Sequence, residues 1–159
     1  MEDKRTIAFV TATRADYGIA RWILHDIVES PHLTLRLILT GSHLDPSQGG
    51  TLDEVLADGF VIDREVPVKL SDDSPVSAAR WMAECLVGFT SALVDLAPDV
   101  LLIVGDRFEA LLAAQAAALA GVPVAHIHGG EVTRGSLDDG MRHAITKLSH
   151  VHFAASPEY

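Results

Sequence analysis

Short runs of consecutive apolar residues alternate along this chain with stretches whose apolar positions recur every three or four residues. The runs read as strands buried on both faces, and the periodic stretches as helices packed on a sheet. Ile7-Ala-Phe-Val10, closed by Thr-Ala-Thr, is the first predicted strand. A helix follows from about Tyr17 to Glu29, where Ile19, Ile23 and Ile27 recur every four residues beside Leu24, and Ser30-Pro31 ends it. Leu35 to Leu39 predicts a second strand, and the Gly/Ser/Pro-rich Gly41 to Gly50 a long loop. Leu52 to Leu56 reads as a short helix and Val61 to Val66 as a third strand. Ser71-Asp-Asp-Ser74 is a polar start signal for a long helix through Leu96, and Pro98-Asp99 leads into the fourth strand, Val100 to Val104. An alanine-rich helix from about Phe108 to Ala120 stops at Gly121. The fifth strand, Val124 to Ile127, is followed by a glycine-rich loop, a helix from about Gly140 to Leu148, and a short strand, Val151 to Ala154.

About six strands alternating with helices, without an internal repeat, predict an α/β fold. It is a doubly wound, Rossmann-like, three-layer αβα domain around a parallel sheet. In that topology ligands sit at the carboxyl ends of the strands, where strand order reverses. The first and fourth strands are then neighbours. Thr11 to Arg14 and Gly105 to Arg107 are expected to line one crevice, flanked by the loop after the fifth strand.

Composition narrows the partners. The 159 residues suit one domain, and 12 Lys and Arg against 22 Asp and Glu give a formal charge of −10. That balance argues against nucleic acid, which needs a basic face, and against a polybasic membrane anchor. Cys85 is the lone cysteine, so no internal disulfide forms; among Trp81, Met82, Leu86 and Phe89 it reads as packing. Met1-Glu-Asp-Lys-Arg-Thr runs into no secretory apolar region, and Val100 to Val104 is too short to span a bilayer. A cytoplasmic domain is expected.

The strand-end loops hold the candidate chemistry. The first is not the GxGxxG dinucleotide fingerprint, and no P-loop lysine pattern occurs. Arg14, just before the first helix, with free backbone N–H groups beside it, would form an anion site; the plainer reading is a solvated arginine paired with Asp16. Asp106 stands where a helix N-cap belongs, with Glu109 three residues later to complete a capping-box-like pair. Its loop also occupies the switch point, where a carboxylate can serve as general acid or base. Glu131 follows two glycines and has no capping role. One of Asp138 and Asp139 is expected to cap the next helix, and Asp139 with Arg142 has the spacing of a surface ion pair. His126 and His128, with His143 or an aspartate, would supply enough zinc ligands, but no HExxH or CxxC spacing accompanies them and no metal site is expected.

These motifs resemble the hydrolysing UDP-N-acetylglucosamine 2-epimerases of sialic-acid-type pathways. The matching stretches are Thr13-Arg-Ala-Asp-Tyr-Gly18, Thr40-Gly-Ser-His-Leu44, Gly105-Asp-Arg-Phe-Glu109, His126-Ile-His-Gly-Gly-Glu131 and Asp138 through His150. The resemblance implies the N-terminal half of a glycosyltransferase-B-type fold. This chain would be the N-terminal domain only, ending at Ser156-Pro-Glu-Tyr159 where the family continues into a second, nucleotide-binding domain. It also implies conversion of UDP-N-acetylglucosamine to N-acetylmannosamine and UDP by elimination and hydration, without metal or cofactor. Asp106, Glu131 and Asp139 match the acid/base carboxylates, Asp106 at C2 and the other two dividing acid and water activation. Arg14, His43 and Arg142 are the candidates for substrate binding. Members are commonly homo-oligomers. The alternative is a Rossmann-like nucleotide-sugar-binding or assembly module without chemistry of its own.

Overall fold

Side chains in a strand alternate between the two faces of its sheet, and here both faces are apolar. In the first strand, β1 (Arg5–Thr11), Ala8 and Val10 face one helical layer and Phe9 the other. In β4 (Val100–Val104), Leu101 and Ile103 join the first face, Leu102 and Val104 the second. The computed structural model describes residues 4–45, 51–67 and 69–159. In it these strands join β2 (Leu33–Thr40), β3 (Ile62–Val66), β5 (Val124–Ile127) and β6 (Val151–Phe153) in one sheet of order β3-β2-β1-β4-β5-β6. Every pairing is parallel. The expected reversal of strand order falls between β1 and β4.

Helices α1 (Arg14–Glu29) and α2 (Leu52–Ala57) cover one face; α3 (Pro75–Leu96), α4 (Phe108–Ala120) and α5 (Leu137–Leu148) cover the other. Helix α4 is buried around most of its circumference, and its alanines let it lie close to the sheet, α3 and α5. Helix α3 approaches β3 so closely at Gly88 that a Cβ there would meet Val66 at 2.5 Å. Cys85 is fully buried, and burial pushes its thiol up to about 12, so packing is its role.

Four expectations need correction. The expected α1 stripe is only half right: Leu24 and Ile27 are buried together with Tyr17 and Ala20, while Ile19 is 50% and Ile23 37% exposed. Helix α1 begins at Arg14, because Thr13 and Asp16 form a capping box, so Arg14 is its first residue. Helix α5 begins at Leu137, capped by Ser136, whose hydroxyl accepts from the Asp138 N–H; neither aspartate is the cap. The segment after β2 starts as a 3-10 turn, Gly41–His43, followed by Leu44 and Asp45, and 46–50 of the expected long loop lies outside the described residues.

Candidate active site

Two clusters form at the carboxyl ends of the strands. The first is built on the β4, β5 and α5 side. Asp106 was expected as the N-cap of α4, yet that position belongs to Arg107, whose side chain makes no capping bond. Asp106 turns instead to Arg142, whose Nη2 donates to its Oδ2. The same guanidinium reaches Glu131 Oε2 from Nη1 at 3.5 Å. Arg142 is only 11% exposed, between carboxylates that are 19% and 25% exposed. Two partly buried carboxylates held on one cation need that cation, since removing it would leave like charges facing each other. The expected Asp139–Arg142 surface pair does not form. Asp139 Oδ1 accepts the Thr133 N–H at 2.7 Å and lies 3.8 Å from His143 Nε2.

Backbone geometry sets these side chains in place. Gly105 has φ +78°, in the left-handed region, and its carbonyl accepts from His126 Nε2 at 2.7 Å. His126 is fully buried; burial lowers its basicity, so the ring stays neutral with its proton on Nε2. Thr146 on α5 donates to the Arg142 carbonyl at 2.9 Å and accepts the Gly130 N–H at 3.3 Å, tying the β5 loop to the arginine's helix. Gly129 fits because a Cβ there would meet His126 Nδ1 at 2.8 Å. His128, considered from sequence only as a metal ligand, hydrogen-bonds through Nδ1 to Glu131 Oε1 at 2.7 Å. Its three-residue spacing to Glu131 across Gly-Gly was the signal available for this pair. Among the described residues, no group of three His, Cys, Asp or Glu is placed to hold a metal ion.

The second cluster lies on the β1 and β2 side. Asp16 accepts the N–H groups of Ala12 and Thr13 at 2.7 and 2.8 Å, so it closes the helix start and does not pair with Arg14. Arg14 is 75% exposed, its Nε 3.2 Å from Glu54. His43 is buried, with Nε2 2.9 Å from Thr11 Oγ1 and Nδ1 2.5 Å from Thr51 Oγ1. Burial holds it below the ordinary histidine range. Both its ring nitrogens are engaged within the protein. Glu109, expected as part of a cap, stands on the first turn of α4. Burial raises its carboxyl, and the charge of Asp16 adds to the rise. The structure therefore brings Asp106, Glu131 and Arg142 together, bonds Asp139 to the Thr133 N–H, and keeps Arg14 and His43 in the other cluster.

Comparison with known proteins identifies the family. The family described as UDP-N-acetylglucosamine 2-epimerase matches residues 25–159. A UDP-N,N'-diacetylbacillosamine 2-epimerase (hydrolyzing) of Legionella pneumophila is 45% identical over 96% of this chain. A GDP/UDP-N,N'-diacetylbacillosamine 2-epimerase (hydrolyzing) of Campylobacter jejuni is 39% identical over 98%. The chain spans 40% of the length of each of these curated relatives. The crystal structure of UDP-GlcNAc 2-epimerase from Neisseria meningitidis, bound to UDP-GlcNAc, superposes with a TM-score of 0.82 at 20% identity. That match covers 96% of this chain and 41% of the other, and it shows the shared glycosyltransferase-B-type fold. No helix among the described residues is long and apolar enough to cross a membrane.

Proposed function

The chain belongs to the UDP-N-acetylglucosamine 2-epimerase family, and from that premise we propose that it carries the acid/base half of a hydrolysing 2-epimerase. The reaction is conversion of UDP-N-acetylglucosamine to N-acetylmannosamine and UDP, in the cytoplasm, for sialic-acid-type sugars. The observation that supports this reading is the convergence of Asp106 and Glu131 on the Arg142 guanidinium, at the strand ends where this topology binds ligands.

The chemistry asks for such a set. A base removes the C2 proton, the C–H electron pair forms the C1=C2 bond, and the C1–O bond to the diphosphate breaks. Water then adds across the 2-acetamidoglucal, its oxygen to C1 and a proton to C2. Inversion at C2 requires that proton to arrive on the face opposite the one it left, so at least two separate groups are needed. Asp106 is the proton-transfer group at C2: Arg142 holds Oδ2, while Oδ1 has no hydrogen-bond partner among the described residues. Glu131 and Asp139 serve proton return and water activation. Arg14, exposed on the first turn of α1, supports the leaving diphosphate. Arg142 and His43 act as positioning residues, the first on the carboxylates and the second on the β1 loop through Thr11 and Thr51.

We assign most of the uridine diphosphate contacts to a second domain, this chain being a single Rossmann-like domain and one wall of the cleft. The test uses the chain alone and the chain joined to the part of the Legionella pneumophila relative that lies beyond the match. Each is incubated in D2O with UDP-N-acetylglucosamine or UDP-N,N'-diacetylbacillosamine and followed by NMR. The joined protein is expected to release UDP and a sugar inverted and deuterated at C2, and the chain alone to release none. Absence of UDP release from every pairing would overturn the reading; turnover by the chain alone would overturn the assignment of the second wall.

A further inference from the structure

Glu131 is engaged on both carboxylate oxygens, Oε1 by His128 and Oε2 by Arg142. Both oxygens of this carboxylate are thus committed to orienting neighbours, His128 on one side and Arg142 on the other. His128 is in the opposite situation. Its Nδ1 is on Glu131, its Nε2 has no hydrogen-bond partner among the described residues, and the side chain is 39% exposed. A carboxylate can only accept, so in the neutral ring the proton sits on Nδ1 and the lone pair on Nε2. The backbone supports this orientation: His128 has φ +64°, in the left-handed region, and its N–H donates to the Phe153 carbonyl at 3.0 Å. A non-glycine residue held in that region costs of order 1 kcal/mol, and here the turn brings the ring back onto Glu131.

We propose that His128 is a catalytic residue of this site, the general base that activates water in the hydration step, with Glu131 as the group that orients it. The inference rests on the epimerase reading and revises it at one point: water activation passes to His128, Glu131 acts through it, and Asp139 keeps proton return. Water attacks C1 of the 2-acetamidoglucal and gives its proton to Nε2 of His128, while the C1=C2 electron pair takes a proton at C2 from Asp139, which has first taken it up from solvent through Oδ2, the oxygen without a hydrogen-bond partner among the described residues; Asp106 returns the original C2 proton to solvent. The imidazolium that forms lies against the Glu131 carboxylate, which stabilises it. Elimination makes no use of His128.

Two measurements decide the assignment. In the joined protein described above, His128→Asn keeps a residue that tolerates the left-handed backbone and removes Nε2. UDP release is expected to continue while the glycal accumulates, with hydration slowed by about 10²- to 10⁴-fold, the range for loss of a general base. UDP and free sugar appearing in the intact ratio would overturn the proposal. If the joined protein with His128 intact releases no UDP, the functional reading has failed, and the second measurement still decides the geometry on which the role depends. ¹⁵N NMR of the 159-residue chain is expected to show neutral His128 protonated at Nδ1, and a lone pair on Nδ1 instead would overturn it. Glu131→Ala separates orientation from folding: with no acceptor left it is expected to lose that tautomer preference while the amide of His128 keeps its bond to Phe153.

Discussion

His43 and His126 are both buried, and each is held below the ordinary value of 6.5, chiefly by burial. Asp16 and Glu54 around His43, and Asp106 beside His126, pull the other way; His152 and Arg142 add to the lowering at His126. An unfolded chain takes up a proton on each ring near pH 6.5, whereas the folded chain waits for a lower pH. The unfolded state therefore binds more protons in that window, and stability falls as the pH drops below about 6.5. The limiting slope is about 1.4 kcal/mol per pH unit for each histidine. Urea midpoints at pH 7.5 and 5.5 are expected to differ clearly in the intact chain and much less in His43→Gln/His126→Gln. An unchanged pH difference in the double variant would remove these rings as the cause. The same two side chains explain why sequence reading goes only so far at this scale. His43 and His126 stand in motifs that point to the site, but which ring nitrogen is occupied depends on Thr11, Thr51 and the Gly105 carbonyl, brought near by folding. Asp106 and Arg142, 36 positions apart, are a pair for the same reason.

The helices end in two different ways. Helix α4 stops at Gly121, φ +71°, a residue that adopts the left-handed region without penalty. Helix α3 stops at Ala97, φ +43°, where the Cβ crowds the backbone. Ala97→Gly is expected to raise stability by about 1 kcal/mol, less the extra entropy of glycine in the unfolded chain. Denaturant unfolding checks this; a glycine that lowers stability would mean the Ala97 methyl contributes packing that outweighs the strain. Element boundaries were legible to different degrees for physical reasons. Val100 to Val104 and Val124 to Ile127 are apolar runs between breakers, and both strands occupy those limits. The start of α5 was hidden because Gly140 looks like a boundary, whereas the Ser136 cap carries the helix through it. The core face of α1 is only partly legible because a four-residue period drifts around a helix of 3.6 residues per turn: Leu24 and Ile27 pack, and Tyr17 and Ala20 take the places expected of Ile19 and Ile23.

The sheet is unevenly protected across the whole molecule. Its centre, β1, β2 and β4, is buried along most of its length, while all three residues of β6 at the edge are exposed. Amide hydrogen exchange is expected to report this directly: slow exchange, through global unfolding, for Phe9, Ile38 and Leu102, and fast exchange, through local opening, for β6. Uniform protection across the six strands would contradict it. The bond from the His128 amide to the Phe153 carbonyl crosses from this exposed edge into the site. Each fraying of β6 frees that amide, so His128 is expected to exchange at the rate of the edge strand and not of the centre. The imidazole then has a duty cycle, and the closed fraction of β6 is the ceiling on how much of the time it stands aligned with Glu131.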